Sequence, residues 1–148
     1  MFFSGRRVTK ASQTLNETGR IQYERAHPYV SRGALKLAGA INHFKLEPHG
    51  LVCLDIGAST GGFTELLILR GAVKIYAVDV GHAQMNPKLI KDPRVVPLEG
   101  VNARDLTAKQ IPQKPQAIVA DVSFISLKLA LPAALAMAEK GAWLVALV

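Results

Sequence analysis

Three aspartates in this 148-residue chain each close a short apolar run: Asp55 after Leu51-Val-Cys-Leu, Asp79 after Val73-Lys-Ile-Tyr-Ala-Val, and Asp121 after Ala117-Ile-Val-Ala. An acid at the tip of a buried strand can accept hydrogen bonds from ligand hydroxyls or face a cationic group. The first acid opens into Asp55-Ile-Gly-Ala-Ser-Thr-Gly-Gly62, where Gly57, Gly61 and Gly62 let backbone approach a ligand and let a helix begin tightly. Asp79 lies 24 residues beyond Asp55, the interval at which an acid on the next strand accepts from ribose hydroxyls. A Gly-rich turn with an acid at that spacing describes a site for a nucleoside-bearing cofactor.

The phosphate question narrows the cofactor. No Gly-Lys-Ser/Thr follows the turn, which excludes a P-loop, and the glycine spacing differs from G-x-G-x-x-G. An acid before the turn repels a pyrophosphate but suits a ligand carrying an amine. S-adenosylmethionine, with an α-amine and a sulfonium, therefore fits better than a nicotinamide dinucleotide.

These residues need strands to hold them. Residues 51–55, 73–78, 95–98, 117–120 and 142–148 form apolar runs that are continuous rather than alternating, and helical patterns separate them. Such strands belong to a parallel sheet covered on both faces. A helix is expected over 31–44, with Ser31 as N-cap and Ala34, Leu37, Ile41 and Phe44 on its buried face. A second is expected over 62–70, stopped by Gly71, and a third over 126–140, kinked by Pro132. The order, a helix and then βαβαββαβ, is that of an open doubly wound α/β sheet, Rossmann-like in class. Residues 1–28 lack a clear period and read as a basic arm or linker.

The chain carries 18 Lys+Arg against 11 Asp+Glu, a formal +7, and five of those seven excess charges fall within residues 1–50. A positive arm before a neutral body is an electrostatic footprint for a polyanion or, equally, a solvated tail. Hydrophobic residues make up 49%, which excludes a disordered chain. One cysteine, Cys53, excludes a disulfide framework and reads as an inert core thiol. His27, His43, His49 and His82 show no metal-ligand spacing, so no metal is expected. The longest apolar region, 129–148, is interrupted by Pro132 and Glu139-Lys140 and falls short of the ~18 residues of a membrane span. A cytoplasmic setting is expected.

Four stretches closely resemble the TlyA/hemolysin A family of rRNA 2′-O-ribose methyltransferases, which carry an FtsJ-like catalytic domain. They are Tyr29-Val-Ser-Arg-Gly-Ala-Leu-Lys-Leu37, Leu54-Asp-Ile-Gly-Ala-Ser-Thr-Gly-Gly-Phe-Thr64, Tyr76-Ala-Val-Asp-Val-Gly81 and Ala120-Asp-Val-Ser-Phe-Ile-Ser-Leu127. The resemblance implies S-adenosylmethionine held by the turn Gly57, Ala58, Ser59, Thr60, Gly61, Gly62 and Phe63, with Asp55 and Asp121 beside it. Asp79 and Val80 would meet the ribose, and Asn102 would lie beside the adenine. It also implies a Lys-Asp-Lys-Glu catalytic set whose first two members match Lys36 and Asp121. The second Lys, usually taken as the base, and the Glu would follow the fifth strand, beyond Val148. On this comparison the chain reads as truncated at both ends: residues 1–28 as the remnant of an RNA-binding domain, and 29–148 as a methyltransferase domain lacking its C-terminal strands. Ribosomal RNA or ribosomal subunits, with cytidine riboses as targets, are the implied partners, and Arg20, Arg25 and Arg32 would contact phosphates. Two rival readings remain at this point: an inactive module that binds RNA or the cofactor, and a membrane-active hemolysin.

Overall fold

The computed structural model describes residues 27–148 except Phe124, together with Phe2–Phe3, Arg6–Val8, Thr14 and Ile21–Gln22. Phe2–Phe3 (β1), Arg6–Arg7 (β2) and Ile21–Gln22 (β3) pair as an antiparallel ladder in the order β2-β1-β3. The rest of the expected arm, including Arg20 and Arg25, lies outside the described residues.

The body is a five-stranded sheet of Val52–Ile56 (β4), Lys74–Asp79 (β5), Val95–Glu99 (β6), Ala117–Ala120 (β7) and Trp143–Ala146 (β8), in the order β6-β5-β4-β7-β8 with every pairing parallel. The chain steps outward from β4 through β5 to β6, then returns to the other side of β4 as β7. Strand order reverses there, so the crevice beyond the carboxyl ends of β4 and β7 is where such a sheet binds ligands. Pro97 sits in β6 because that strand is at the sheet edge, where a missing N–H costs no internal ladder bond.

Alternate residues of each strand feed two cores. Cys53, Ile75, Ala77 and Val119 face Gly33–Phe44 (α1), Gly62–Leu69 (α2) and Pro87–Ile90 (α3). Leu54, Ile56, Tyr76, Val78 and Ile118 face the short 3₁₀ turn Ala103–Asp105 and the helices Leu127–Ala130 (α4) and Pro132–Met137 (α5). The doubly wound α/β class expected from the strand pattern is the one observed. Cys53 is fully buried, and burial, reinforced by nearby Asp55, pushes its thiol up to about 12, which leaves it unreactive.

Three local expectations are corrected. Ser31 is not the N-cap of α1. Arg32 holds that position, while the Ser31 hydroxyl accepts from Gly33 N at 3.2 Å and packs against Gly62. Phe44 is 65% exposed rather than buried, its ring edge-on to His43 at the last residue of α1. The single kinked helix over 126–140 is two helices. Pro132 begins α5 after a break at Leu131, and the chain leaves helical geometry at Ala138, where Glu139 N bonds Pro115 O at 2.8 Å. Proline removes a helical donor, and the Glu139 contact draws the chain toward β8. Besides the short strands β1, β2 and β3 in the expected arm, two elements of the body were not expected, α3 and the 3₁₀ turn. Each is capped by an asparagine: Asn86 accepts from Lys88 N, and Asn102 accepts from Arg104 N.

Candidate functional site

A cavity of about 730 Å³ opens at the strand-order reversal, within the ordinary size range of small-molecule sites. Of the residues expected to hold a cofactor, Gly57, Ser59, Asp79, Val80, Asn102 and Asp121 line it. They come from the ends of β4, β5, β6 and β7, so the parallel sheet gathers residues far apart in sequence onto one rim.

Gly57 shows why the turn needs glycine. Its φ is +82°, and a Cβ there would lie 2.5 Å from the backbone oxygen of Asp121. The two loops therefore touch through backbone, and on its other side the turn is tied to β5, with Gly57 N and Ala58 N both donating to Val78 O. A side chain at 57 costs left-handed strain of about 1–2 kcal/mol plus an overpacking penalty of similar size. Gly57→Ala should lose about 3 kcal/mol in chemical denaturation; a loss under about 1 kcal/mol would show that the loops part easily.

Asp79 braces the rim from β5. One carboxylate oxygen accepts from Ser59 N at 2.7 Å and the other from Gly81 N at 2.7 Å. Those bonds tie the Gly-rich turn to the loop after β5. Bonds to a charged group are worth roughly 1.5–3 kcal/mol each, so removing Asp79 loosens both loops. Asp79→Ala should weaken binding of a nucleoside cofactor about 10- to 100-fold by calorimetry, and unchanged affinity would exclude the residue from the site.

Asp55 occupies a different position. It is fully buried on the α2 face of β4, accepts from Thr64 Oγ1 at 2.6 Å, and does not line the cavity. Its second oxygen, Oδ1, has no hydrogen-bond partner among the described residues. Burial pushes its carboxyl up to about 7, partly offset by the Thr64 bonds and reinforced by Asp79 and Asp121. Ala58, Thr60, Gly61, Gly62 and Phe63 also stay off the cavity wall. Gly61 and Gly62 serve packing instead. A Cβ on Gly61 would strike the Leu89 side chain, and one on Gly62 would strike the Ser31 hydroxyl. Phe63 is 4% exposed and packs beside Gly33.

At the rim, Lys36 Nζ lies 3.3 Å from Asp121 Oδ2, although the two are 85 residues apart. Their side chains are 57% and 37% exposed, so the pair is open to an incoming group. Asp121 lines the cavity; Lys36 does not, and sets its ammonium beside that carboxylate from outside the wall.

The FtsJ-like methyltransferase family model matches residues 29–147. The chain belongs to the FtsJ-like methyltransferase family. It is 49% identical over 141 residues to the 16S/23S rRNA (cytidine-2′-O)-methyltransferase TlyA of Mycobacterium tuberculosis, covering 95% of this chain and 52% of the relative. It is 44% identical to Hemolysin A of Brachyspira hyodysenteriae, covering 86% of this chain and 53% of that one. The solved structure of a protein described as a hemolysin from Streptococcus thermophilus superposes with a TM-score of 0.79 at 42% identity, over 86% of this chain and 46% of that one. The chain spans about half the length of the curated relatives it matches.

Within this FtsJ-like domain, Asn102 turns its side-chain oxygen to Arg104 N and Nε, at 3.1 and 3.4 Å. Its amide nitrogen has no partner among the hydrogen bonds of the described residues. Arg32 is exposed at the start of α1, one turn from Lys36. Trp143 is half-buried against the α1–α2 core. The cavity also uses Gln84, Arg104, Ser123, Ser126 and Leu129, none of them expected as site residues. Ser123 and Ser126 belong to the 120–127 stretch that carries the resemblance, whereas Gln84, Arg104 and Leu129 had only their positions after β5, after β6 and in α4 as a signal. Among the described residues no group of three His, Cys, Asp or Glu side chains is arranged to hold a metal ion.

Proposed function

We propose that this chain carries out S-adenosylmethionine-dependent 2′-O-methylation of ribosomal RNA, acting on cytidine riboses in ribosomal subunits in the cytoplasm. The observation that carries this reading is the Lys36–Asp121 pair at the mouth of the cavity. The TlyA relative, at 49% identity, supplies the substrate class.

The residues fit a cationic nucleoside cofactor. Asp79 and Asp121 rim the cavity, the unpartnered Asp55 oxygen lies buried beneath the turn, and Gly57 leaves no Cβ between the two loops. When bound, S-adenosylmethionine supplies an electrophilic methyl on a sulfonium. Ser59, Asp79 and Val80 would hold its ribose, and Asn102 would lie beside the adenine.

On the RNA side, Lys36 and Asp121 orient the attacking ribose hydroxyl, one as donor and the other as acceptor. Holding nucleophile and electrophile in line accounts for much of such a rate enhancement. Lys36 and Asp121 are thus assigned to positioning; the proton that the hydroxyl gives up as its oxygen takes the methyl passes to a base outside this pair, the role the family resemblance gives to a second Lys. Arg32, with Arg20 and Arg25 from the arm, would meet phosphates and register the RNA without reading its bases.

Calorimetry with S-adenosylmethionine, followed by transfer of labelled methyl to ribosomal subunits, tests the proposal. The chain is assayed beside a chimera in which residues 27–148 replace the matching segment of the M. tuberculosis relative. Cofactor binding without transfer in either protein would favour a binding module, and no binding would sink the cofactor site. No helix among the described residues is long and apolar enough to cross a membrane, and the hemolysin reading rests on the names of relatives alone.

A further inference from the structure

Lys36 reaches Asp121 from α1, a helix that is not part of the sheet, so something must fix the end of α1 that carries it. Apolar side chains do not supply that fix alone. Ala34, Leu37 and Ile41 bury the body of the helix, but apolar contacts are non-directional and tolerate a small rotation. The directional contact comes from α2. Glu65, in the first turn of α2, accepts from Val30 N through Oε2 at 2.7 Å. Val30 lies three residues ahead of α1, and Lys36 sits one turn inside it.

We infer that Glu65 is a positioning residue for Lys36: its carboxylate sets the approach of the chain into α1 and thereby the reach of Lys36 to Asp121. Three further features sharpen the argument. The bond is charge-assisted and partly shielded from water, which makes it about twice as strong as a neutral one. Glu65 is itself fixed, because its backbone N donates to Gly61 O at 2.8 Å and its charge sits at the favourable end of α2. Beside it, the Ser31 hydroxyl seats on Gly62, where a Cβ would strike it, so α1 and α2 meet closely only because Gly62 has no side chain.

The contacts close a ring. The Gly-rich turn leads into α2, Glu65 of α2 holds the start of α1, Lys36 of α1 pairs with Asp121, and the Asp121 backbone rests on Gly57 of the same turn. A shift of the turn would thus be felt at Lys36 by two routes. This inference rests on the proposed role of Lys36 at the reacting hydroxyl, but the contact it describes can be tested without transfer.

The test is the NMR signal of the Lys36 side chain in lysine-labelled protein, assigned with Lys36→Arg. Asp121→Asn provides the reference shift for a Lys36 that has lost its partner. Glu65→Ala is expected to move the Lys36 signal most of the way to that reference. Glu65→Gln keeps an oxygen for Val30 N without the charge and should move the signal least of the three variants. Glu65→Asp keeps the charge but withdraws the oxygen by one methylene; it should move the signal part-way, and it serves if the alanine variant does not fold. A Lys36 signal unmoved in Glu65→Ala and Glu65→Asp would overturn the inference, as would an equal shift in Glu65→Gln and Glu65→Ala. A merely structural Glu65 would lower the melting temperature without moving that signal. Calorimetry with S-adenosylmethionine on the wild-type chain runs in parallel: absent binding would defeat the functional reading and leave the Lys36 signal to judge the contact.

Discussion

Lys36→Ala is expected to reduce methyl transfer by about 10²- to 10⁴-fold, the range lost with one proton-handling or orienting group, while cofactor affinity stays within about twofold. Stability should barely change. The Lys36 and Asp121 side chains are 57% and 37% exposed, and ion pairs of that kind contribute roughly 0.2–1 kcal/mol. A pair worth so little to the fold, formed by residues on α1 and just past β7, has its use in what it presents to solvent. Lys36→Arg separates charge from geometry, because a planar guanidinium does not place a donor where an ammonium does; it should recover little transfer. The measurement is labelled-methyl transfer to ribosomal subunits with the chimera, alongside calorimetry and thermal melting. Retained transfer in Lys36→Ala would remove Lys36 from the reaction, and a fall in stability above about 2 kcal/mol would recast the pair as structural.

How much of this was legible beforehand depends on the kind of signal each residue gave. The strands were legible because continuous apolar runs ending in Asp55, Asp79 and Asp121 can only be buried parallel strands, and β7 begins and ends where its apolar run does. The helix over 126–140 was misread because period alone carried it across Pro132, although a missing N–H outweighs an apolar stripe. The short helix α3 had a signal that passed unread: Asn86-Pro87 is an N-cap followed by proline at the first helical position. The glycines were harder. Gly57, Gly61 and Gly62 look alike in sequence, yet only Gly57 lines the cavity, and the other two make room for Leu89 and Ser31. Those partners come from α3 and from the chain before α1, and no spacing rule within the turn could name them. Glu65 gave no signal at all, since its partner is a backbone N–H 35 residues away.

Asp55→Asn is expected to make the protein's stability less sensitive to pH, with the largest gain over wild type above pH 7. The Asp55 carboxyl is fully buried and pushed from an ordinary 3.8 to about 7, chiefly by loss of hydration. Because the folded value lies above the unfolded one, the native state binds this proton more tightly between about pH 4 and pH 7. Stability associated with Asp55 is therefore fully present below pH 4, falls as pH rises, and is lost once pH passes 7. A shift of about three units corresponds to about 4 kcal/mol at 1.36 kcal/mol per unit, an order-of-magnitude figure. Asparagine keeps an oxygen for Thr64 Oγ1 but does not ionise. Its own unpartnered amide hydrogens add an offset that does not vary with pH, so the difference in slope carries the prediction. Asp79 and Asp121, the charged groups facing Asp55 from β5 and from the loop after β7, are the same in both proteins, so their contributions largely cancel. Chemical denaturation at half-unit steps from pH 4 to 8 should show the variant gaining on wild type by about 4 kcal/mol across that range. Parallel curves would mean that Asp55 stays ionised in the fold, with water reaching Oδ1. A gain over wild type that grows with pH at the predicted slope would show that the chain keeps, beneath its Gly-rich turn, an acid whose charge is unfavourable until a cation arrives. The variant should then bind S-adenosylmethionine more weakly than wild type above pH 7 and about equally well near pH 5.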